Sequence, residues 1–239
     1  TMSNNIDISG SGKVTGGDYN NINISGRGKV IGDVKANNIN VSGMAKALGD
    51  MEFREMVISG SFKALGNLNA TENIGVSGRF KGEKNIVTNR LNIAGYFICL
   101  NEINFDLLEF GGYIKCINNC EGRKICGEGK LRIDGLLSAD DIDIRLIGQS
   151  SINEIGGENI KIKSGKDNNF KLWIFNYKQK NQLTCNLIEG DNIEIENTRA
   201  KVVRGKNIMV GKNCTIERME YSGEFKIDEK SLVKEKILI

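Results

Sequence analysis

The sequence of 239 residues predicts an all-β fold, a single-stranded parallel β-helix with three sides and about 17 residues per coil. Three observations support this prediction: a glycine that recurs at nearly constant spacing, an alternation of apolar and polar residues around it, and the absence of proline. In such a solenoid each repeat buries its apolar face by stacking on its neighbours. We expect one domain over residues 1–239, with regular coils over 1–122 and less regular coils with insertions over 123–239.

The recurring glycine closes a phrase of the form Asn-Ile-x-Ile-Ser-Gly, and a lysine usually follows three positions later. One copy runs from Ile22 to Gly26 and is followed by Lys29. Successive glycines are 16 to 18 residues apart. The series consists of Gly10, Gly26, Gly43, Gly60, Gly78, Gly95 and Gly112.

The alternation around each glycine has a period of two residues, which is typical of a β-strand with one buried face. The positions four and two before the glycine are apolar in every copy, as in Ile22 and Ile24, and the position between them is mostly polar. Further apolar positions follow two, four and eight residues after the glycine, as in Phe62, Ala64 and Leu68. Each coil therefore carries three short inward runs, which predicts three parallel sheets.

Proline and glycine usage agrees with this fold. The chain has no proline and 29 glycines. Proline cannot donate a hydrogen bond to a sheet ladder, and glycine is favoured where a turn needs a positive φ. We therefore interpret the Ser-Gly steps, together with Gly16, Gly32, Gly49 and Gly66, as corners with positive φ.

The second half of the chain keeps the apolar alternation at uneven spacing, as in the pairs at 142 and 144 and at 193 and 195. The largest insertion lies around residues 164–184, and residues 170–177 within it read as a strand with two apolar faces. Trp173, Phe175 and Tyr177 form one of these faces. They are a candidate lateral interface with a second molecule; the alternative is an over-long coil that is covered by its own loop.

Composition limits the compartment and the partners. We find no apolar run of about 18 residues and no signal-peptide pattern. The net charge of +3 is too balanced to favour nucleic acid or direct membrane binding. Six cysteines without a spacing framework suit a reducing compartment. The sequence therefore predicts a cytoplasmic protein, with the inner face of the membrane as the alternative location.

A column of lysines should lie on the outer surface of the coils, because each lysine follows its glycine by the same interval. This column is a candidate binding stripe for an anionic partner, such as a cell-wall polymer, lipid headgroups or another copy of the chain. The alternative is a solvated face that deters lateral aggregation of sheets. Its members are Lys13, Lys29, Lys46, Lys63, Lys81 and, after an interruption at Ile98, Lys115.

Catalytic and metal chemistry find little support in the sequence. The chain has no histidine, which removes the commonest general base and any imidazole ligand. Cys116, Cys120 and Cys126 lack the paired spacing of a zinc site, and the inward Cys99 and Cys116 are close enough for a disulfide but are best interpreted as apolar filler.

An acidic cluster is the remaining catalytic candidate. Asp140, Asp141 and Asp143 could supply a carboxylate pair, but a solvated strand explains them more simply. We predict that the protein is not an enzyme and has no catalytic residue, metal site or cofactor.

The coil phrase of the first half, together with Asn192–Gly211 and Glu220–Asp228, resembles the bactofilins, a family of polymer-forming bacterial cytoskeletal proteins. The likeness is greatest to the longer members from spore-forming bacteria. It implies a right-handed β-helix, the hand that parallel crossovers favour, which assembles into filaments without nucleotide and serves as a scaffold for cell shape, wall synthesis or motility. Family members often carry proline-containing tails or an apolar N-terminal anchor, and this sequence shows neither.

The ends of the solenoid are the candidate polymer interface, because terminal coils expose unpaired backbone groups and the ends of apolar columns. We expect homopolymers that join end to end, and cell-wall or membrane-associated proteins as further partners. The alternative function is a carbohydrate- or wall-binding β-helix, and a less favoured one is a polysaccharide-processing enzyme. The predicted interface residues are Ile6, Ile8 and Ile22 at one end and Phe225, Ile227, Leu232 and Ile237 at the other.

Overall fold

A computed structural model of the chain describes residues 4–165 and 181–239. No helix occurs among these residues, and their strands pair in parallel. The predicted strand at 170–177, with Trp173, Phe175 and Tyr177, lies outside the described residues. The strands are β1 (Asn5–Ile8), β2 (Ser11–Ile24), β3 (Arg27–Val41), β4 (Met44–Ala47), β5 (Met51–Ile58), β6 (Ser61–Ala64), β7 (Leu68–Val76), β8 (Arg79–Gly82), β9 (Ile86–Ile93), β10 (Tyr96–Cys99), β11 (Ile103–Phe110), β12 (Tyr113–Cys116), β13 (Cys120–Leu146), β14 (Gln149–Ser164), β15 (Gln182–Ile195), β16 (Thr198–Val210), β17 (Thr215–Tyr221), β18 (Phe225–Ile227) and β19 (Leu232–Leu238).

The chain divides into two compact units, which we describe separately. Unit 1 ends at Arg123 and unit 2 begins at Lys124. Both are stacks of parallel strands, so the predicted all-β solenoid is confirmed. The prediction of one domain over residues 1–239 stays a prediction.

Successive coils of unit 1 stack in register, so that like residues form columns. Ile22 pairs with Ile39, and Ile24 pairs with Val41. Partners along the asparagine columns are 16 or 17 residues apart. The inward columns predicted from the alternation are buried, apart from their first positions at Ile6 and at residue 12, which are half-buried.

Each coil of unit 1 places three runs of side chains inside, as predicted. In the coil that contains β5 and β6, Met51, Met56 and Phe62 begin these runs, and each is at most 2% exposed. Within β5 the pairing register shifts between Phe53 and Glu55. This shift separates the inward side chains before it from those after it, so one strand contributes to two sheets. Three short sheets therefore share one core.

Aromatic rings fill the core of unit 1 in two ways. Phe62, Phe80 and Phe97 form one column with ring centroids 6.1 and 4.6 Å apart. In another column small residues lie next to each ring, because a ring needs space that its neighbours must leave free. Its members are Tyr19, Ala36, Phe53, Ala70, Thr88 and Phe105.

Asparagine ladders run along the outside of unit 1 and fix its register. Asn21 donates from Nδ2 to Oδ1 of Asn5 at 3.0 Å, and Asn38 donates in the same way to Asn21 at 2.9 Å. A second ladder lies two residues along the strand, where Asn23 donates to Asp7 at 2.7 Å. These bonds form only between like positions of adjacent coils, so they oppose slippage of the strands.

Unit 2 repeats the same plan with coils of unequal length. Ile160 pairs with Ile193, and Ile193 pairs with Ile208. The ladder partners Asn159 and Asn192 are 33 residues apart, an interval that includes the residues outside the description, whereas the next pair is only 15 apart. The apolar pairs predicted from residue 142 onward are buried.

The corner glycines correct one prediction about the turns. Of the glycines interpreted as positive-φ corners, only Gly32 has a positive φ, at 84°. Gly60 and Gly78 are required for a steric reason instead: an added Cβ on Gly60 would collide with the carbonyl oxygen of Gly43, and one on Gly78 with that of Gly60. Consecutive corners approach so closely that only hydrogen fits between them.

Replacement of a corner glycine should therefore destabilise unit 1 strongly. We expect Gly60→Ala to lower the free energy of unfolding by about 3 kcal/mol, because the backbone of two coils must separate to admit a methyl group. Urea denaturation followed by circular dichroism measures the change. Gly10→Ala is the matched control, since its Cβ would meet no atom within 4 Å. A Gly60→Ala midpoint equal to that of the control would contradict the steric explanation.

Candidate interaction surfaces

The N-terminal edge of unit 1 is formed by β1 and the first part of β2. β1 pairs with residues 21–24 on one side, and no described strand pairs with its other side. Ile6 is half-buried and Ile8 is 8% exposed, so both lie at this edge. Ile22 was predicted there too, but the structure places it one coil further in, fully buried beneath Ile6.

Tyr19 is an edge residue that the sequence analysis missed. Its hydroxyl donates a hydrogen bond to the backbone carbonyl of Thr15 at 3.0 Å, and the ring lies near Gly17. The side chain is 8% exposed and is the first ring of the column in which small residues lie next to each ring. The size alternation at the positions of Ala36 and Phe53 was the signal that could have identified this column.

The C-terminal edge of unit 2 is formed by β18 and β19. Phe225 pairs with Ile208 and Ile227 with Val210, so both continue inward columns. Phe225 is 41% exposed and its ring contacts that of Tyr221, with centroids 4.5 Å apart. No described strand pairs with the outer side of β18.

Leu232 and Ile237, the other two predicted interface residues at this end, lie on β19. Leu232 pairs with Thr215 and Ile237 with Glu220, both in outward columns. Val233 takes the inward place instead, over Ile216. Because side chains alternate between faces, a shift of one residue is enough to move Leu232 outward. Both residues still lie on the edge strand and are exposed.

The two edges have the same alternation of apolar and polar residues. Asn5–Ile8 is the first copy of the Asn-Ile-x-Ile pattern, and Glu224–Ile227 occupies the last position of the corresponding columns in unit 2. The outward residue of the pattern is Asp7 at one edge and Lys226 at the other. The edges therefore match in apolar pattern and are opposite in charge at one outward position.

The predicted lysine column is a continuous ladder. The register joins Lys13 to Lys29 and continues through the next three lysines before Ile98 interrupts it. Lys63 forms an ion pair with Glu83 at 2.7 Å. This lysine holds the pKa of Glu83 below its usual value, mainly through the hydrogen bond, and nearby lysines add to the effect.

The acidic cluster of unit 2 belongs to the outer ladders. Asn159 donates from Nδ2 to Oδ1 of Asp141 at 3.0 Å, and Asp143 is the register partner of Lys161. Asp140 is exposed. An outer groove of about 700 Å³ is lined by Asp141, Asp143 and the asparagines of the ladder. Asn192 and Met209 are among its lining residues.

Five of the six cysteines are buried thiols, and Cys126 is half-buried. Cys99 pairs in register with Cys116, and both are free and fully buried. The hydrogen bond to Cys99 and burial raise the pKa of the Cys116 thiol, and burial raises that of Cys120. Burial also raises the pKa of Cys185 to about 12. These groups stay protonated near neutral pH, as apolar filler requires.

Residues 4–165 and 181–239 include no helix long and apolar enough to cross a membrane. The same residues contain no cluster of three or more histidine, cysteine or acidic side chains with the placement of a metal site.

Comparison with known proteins finds relatives of unknown role. The chain is 39% identical over 104 residues to the uncharacterized protein YhbE of Bacillus subtilis (strain 168), and the match covers 43% of each chain. It is 37% identical over 103 residues to the uncharacterized protein YhbF of the same strain, over 43% of this chain and 41% of YhbF. The match thus spans about two fifths of each curated relative. No family model and no solved structure matches the chain.

An ion-paired carboxylate beside the C-terminal edge should make stability depend on pH. Hydrogen bonding to Arg204 lowers the pKa of Glu220, and Arg218 adds a further ion pair. A carboxylate whose pKa is lower in the folded than in the unfolded protein stabilises the fold at pH values above its unfolded pKa of about 4.3. This contribution is lost as the pH falls through the folded-state pKa. We expect Glu220→Gln to lower stability by about 1 kcal/mol at pH 7 and to have little effect near pH 2.5.

Urea titrations at the two pH values measure this difference. Glu189→Gln is the control, because Glu189 contacts the same arginine but its side chain is 52% exposed. We expect a change below about 0.5 kcal/mol for this variant. An equal loss for Glu220→Gln at both pH values would contradict the role of its charge.

Proposed function

We propose that the protein is a structural scaffold that polymerises end to end through its terminal coils, without nucleotide. The observation that carries the proposal is that, within residues 4–165 and 181–239, no strand pairs with the outer side of β1, β18 or β19, where apolar side chains such as Phe225 are exposed. An unpaired parallel edge presents free backbone donors and acceptors that a strand of another chain can satisfy.

The solenoid fold supports this proposal because every coil already binds its neighbours through the contacts that a junction would use. A junction would extend the backbone ladders and the inward columns by one further coil. The resemblance to bactofilins supports the same role and suggests a part in cell shape, cell-wall organisation or motility. A cytoplasmic scaffold of this kind has no catalytic residue and no cofactor, and its partners are further copies and proteins of the wall or membrane.

The edge residues favour junctions with a defined register. If the two different ends meet, Ile6 follows Phe225 and Ile8 follows Ile227 in the inward columns. Asp7 then lies beside Lys226 on the outside, and this pair of opposite charges favours the register. If like ends meet, the same apolar residues are buried but the charges repel.

A charged substitution at the N-terminal edge tests the proposal. We expect Ile8→Lys to abolish filaments in negative-stain electron microscopy, because an ammonium group would enter an apolar column. Circular dichroism should keep its β signal, since Ile8 lies in the first strand only. Asn4→Lys is a control that adds the same charge at an exposed position just before β1. Unchanged filaments in Ile8→Lys would refute end-to-end stacking.

A second variant determines which ends meet. Phe225→Lys should block the C-terminal edge in the same way. If different ends meet, each variant alone is monomeric in analytical ultracentrifugation and a mixture of the two forms a heterodimer through the intact edges. If like ends meet, each variant alone forms a homodimer. Long polymers of either single variant would contradict both arrangements.

A carbohydrate-binding role is the second candidate, and the outer groove of unit 2 is the observation that favours it. The groove is lined by the amides of Asn159, Asn192 and Asn207, which recur from coil to coil. Amide groups at regular spacing can donate to and accept from sugar hydroxyls. Calorimetry with wall-derived oligosaccharides tests this role. Binding that Asn192→Leu abolishes would support it, and absence of binding would remove it.

A further inference from the structure

We propose that unit 1 binds anionic lipid bilayers through one face of its solenoid. This face, which we call the basic face, is the outer side of the sheet built from residues 11–15 of β2, residues 27–31 of β3, and β4, β6, β8, β10 and β12. The proposal does not depend on end-to-end assembly, because every residue that it uses lies on the side of the coils.

Positive charge is concentrated on the basic face. The lysine ladder occupies one outward column, and Arg27 and Arg79 occupy the neighbouring column. Glu83, directly after β8, is the acidic residue at this face, and it pairs with Lys63. The other acidic residues among residues 4–123 lie on the outer sides of the remaining sheets or in the turns between sheets. The overall charge balance of the chain therefore conceals a strongly basic surface.

The geometry of the ladder suits an extended anionic surface. Adjacent coils place like residues roughly 4.8 Å apart, so the five lysines from Lys13 to Lys81 span roughly 19 Å, and Lys115 extends the row to roughly 29 Å. Lys13, Lys29 and Lys46 are exposed, and the later members are half-buried. Neighbouring ammonium groups repel one another, and an anionic surface would relieve that repulsion.

Exposed apolar side chains on the same face distinguish a bilayer from a soluble polyanion. Met44 is 51% exposed and Tyr96 is 42% exposed, and both belong to the column that contains Arg27 and Arg79. Tyr96 stacks on Tyr113 with ring centroids 4.6 Å apart. Ile31, at the end of the same sheet, is 38% exposed. Aromatic and apolar groups among lysines gain from the headgroup region of a bilayer.

A second copy of the chain is a less suitable occupant of this face. The carboxylates of unit 1 are dispersed over several outward columns, as with Asp7, Asp18 and Glu55, whereas the lysines form one ladder. A lateral partner would need a carboxylate ladder of matching length. An anionic bilayer meets the requirement without any fixed register, because its headgroups can rearrange beneath the lysines.

Flotation of the full chain with vesicles tests the proposal, since bound protein rises with the lipid while filaments sediment. We expect flotation with vesicles of phosphatidylcholine and phosphatidylglycerol at about 7:3, little with pure phosphatidylcholine, and loss of most binding at high salt. Neutralising two ladder positions with Lys29→Gln and Lys46→Gln should weaken binding about 25-fold, because each basic residue near the surface contributes about fivefold.

The matched control is Lys35→Gln with Arg54→Gln, which changes the net charge equally on other parts of unit 1. We expect less than a twofold change in binding for this control.

Met44→Gln with Tyr96→Gln should weaken binding at least about threefold, because it removes the exposed apolar groups of the basic face. Absence of flotation with anionic vesicles, or an equal loss in the control, would overturn the proposal. Soluble polyphosphate at equal phosphate concentration is the competitor. If it displaces the vesicles completely and the Met44 and Tyr96 changes have no effect, the face binds a linear polyanion instead and the bilayer proposal is overturned.

Discussion

In-register stacking of parallel coils is the constraint on which the rest of the structure depends. Each coil has the same short strands as its neighbours, so every side chain meets the residue at the same position one coil away. This relation places isoleucines on isoleucines inside, asparagines on asparagines outside, and glycine against glycine at the corners. It also explains the packing of rings, because a column that holds Phe53 must leave space at Ala36 and Ala70. A change at one position is therefore felt first along its column and only then across the coil.

The same constraint gives the two kinds of surface different properties. At the edges of the stack, the ladder presents backbone groups and the ends of apolar columns, which another stack can extend. On the sides, repetition of one residue produces a uniform row, such as the lysine ladder or the amides of unit 2. The edges therefore match partners that have the same strand pattern. The sides match partners that present the same chemical group at regular intervals. The proposed assembly of copies and the proposed attachment to a bilayer would therefore use different surfaces of the molecule.

Much of this architecture could be predicted from the sequence, because a repeat with a period of two inside a period of about 17 determines both the inward faces and the outward columns. The burial of Ile24 and the continuity of Lys13 with Lys29 followed from spacing alone. The role of Gly60 could not be predicted, since it depends on the distance between corners of successive coils rather than on local backbone preference. Leu232 was predicted only as an interface residue, and its outward direction could not be predicted because a single residue of offset reverses the alternation. The concentration of charge on one sheet became visible only once the three sheets of unit 1 were distinguished.

The central claim is that copies of the chain continue one another's strand ladders at their ends. Helical reconstruction of the purified protein by cryo-electron microscopy, without nucleotide, tests this claim most directly. The account predicts filaments in which the strand spacing of about 4.8 Å runs through every junction and the side chains of the edge strands are buried there. Single particles at high concentration, or filaments joined by their sides with β1 and β18 facing solvent, would contradict it.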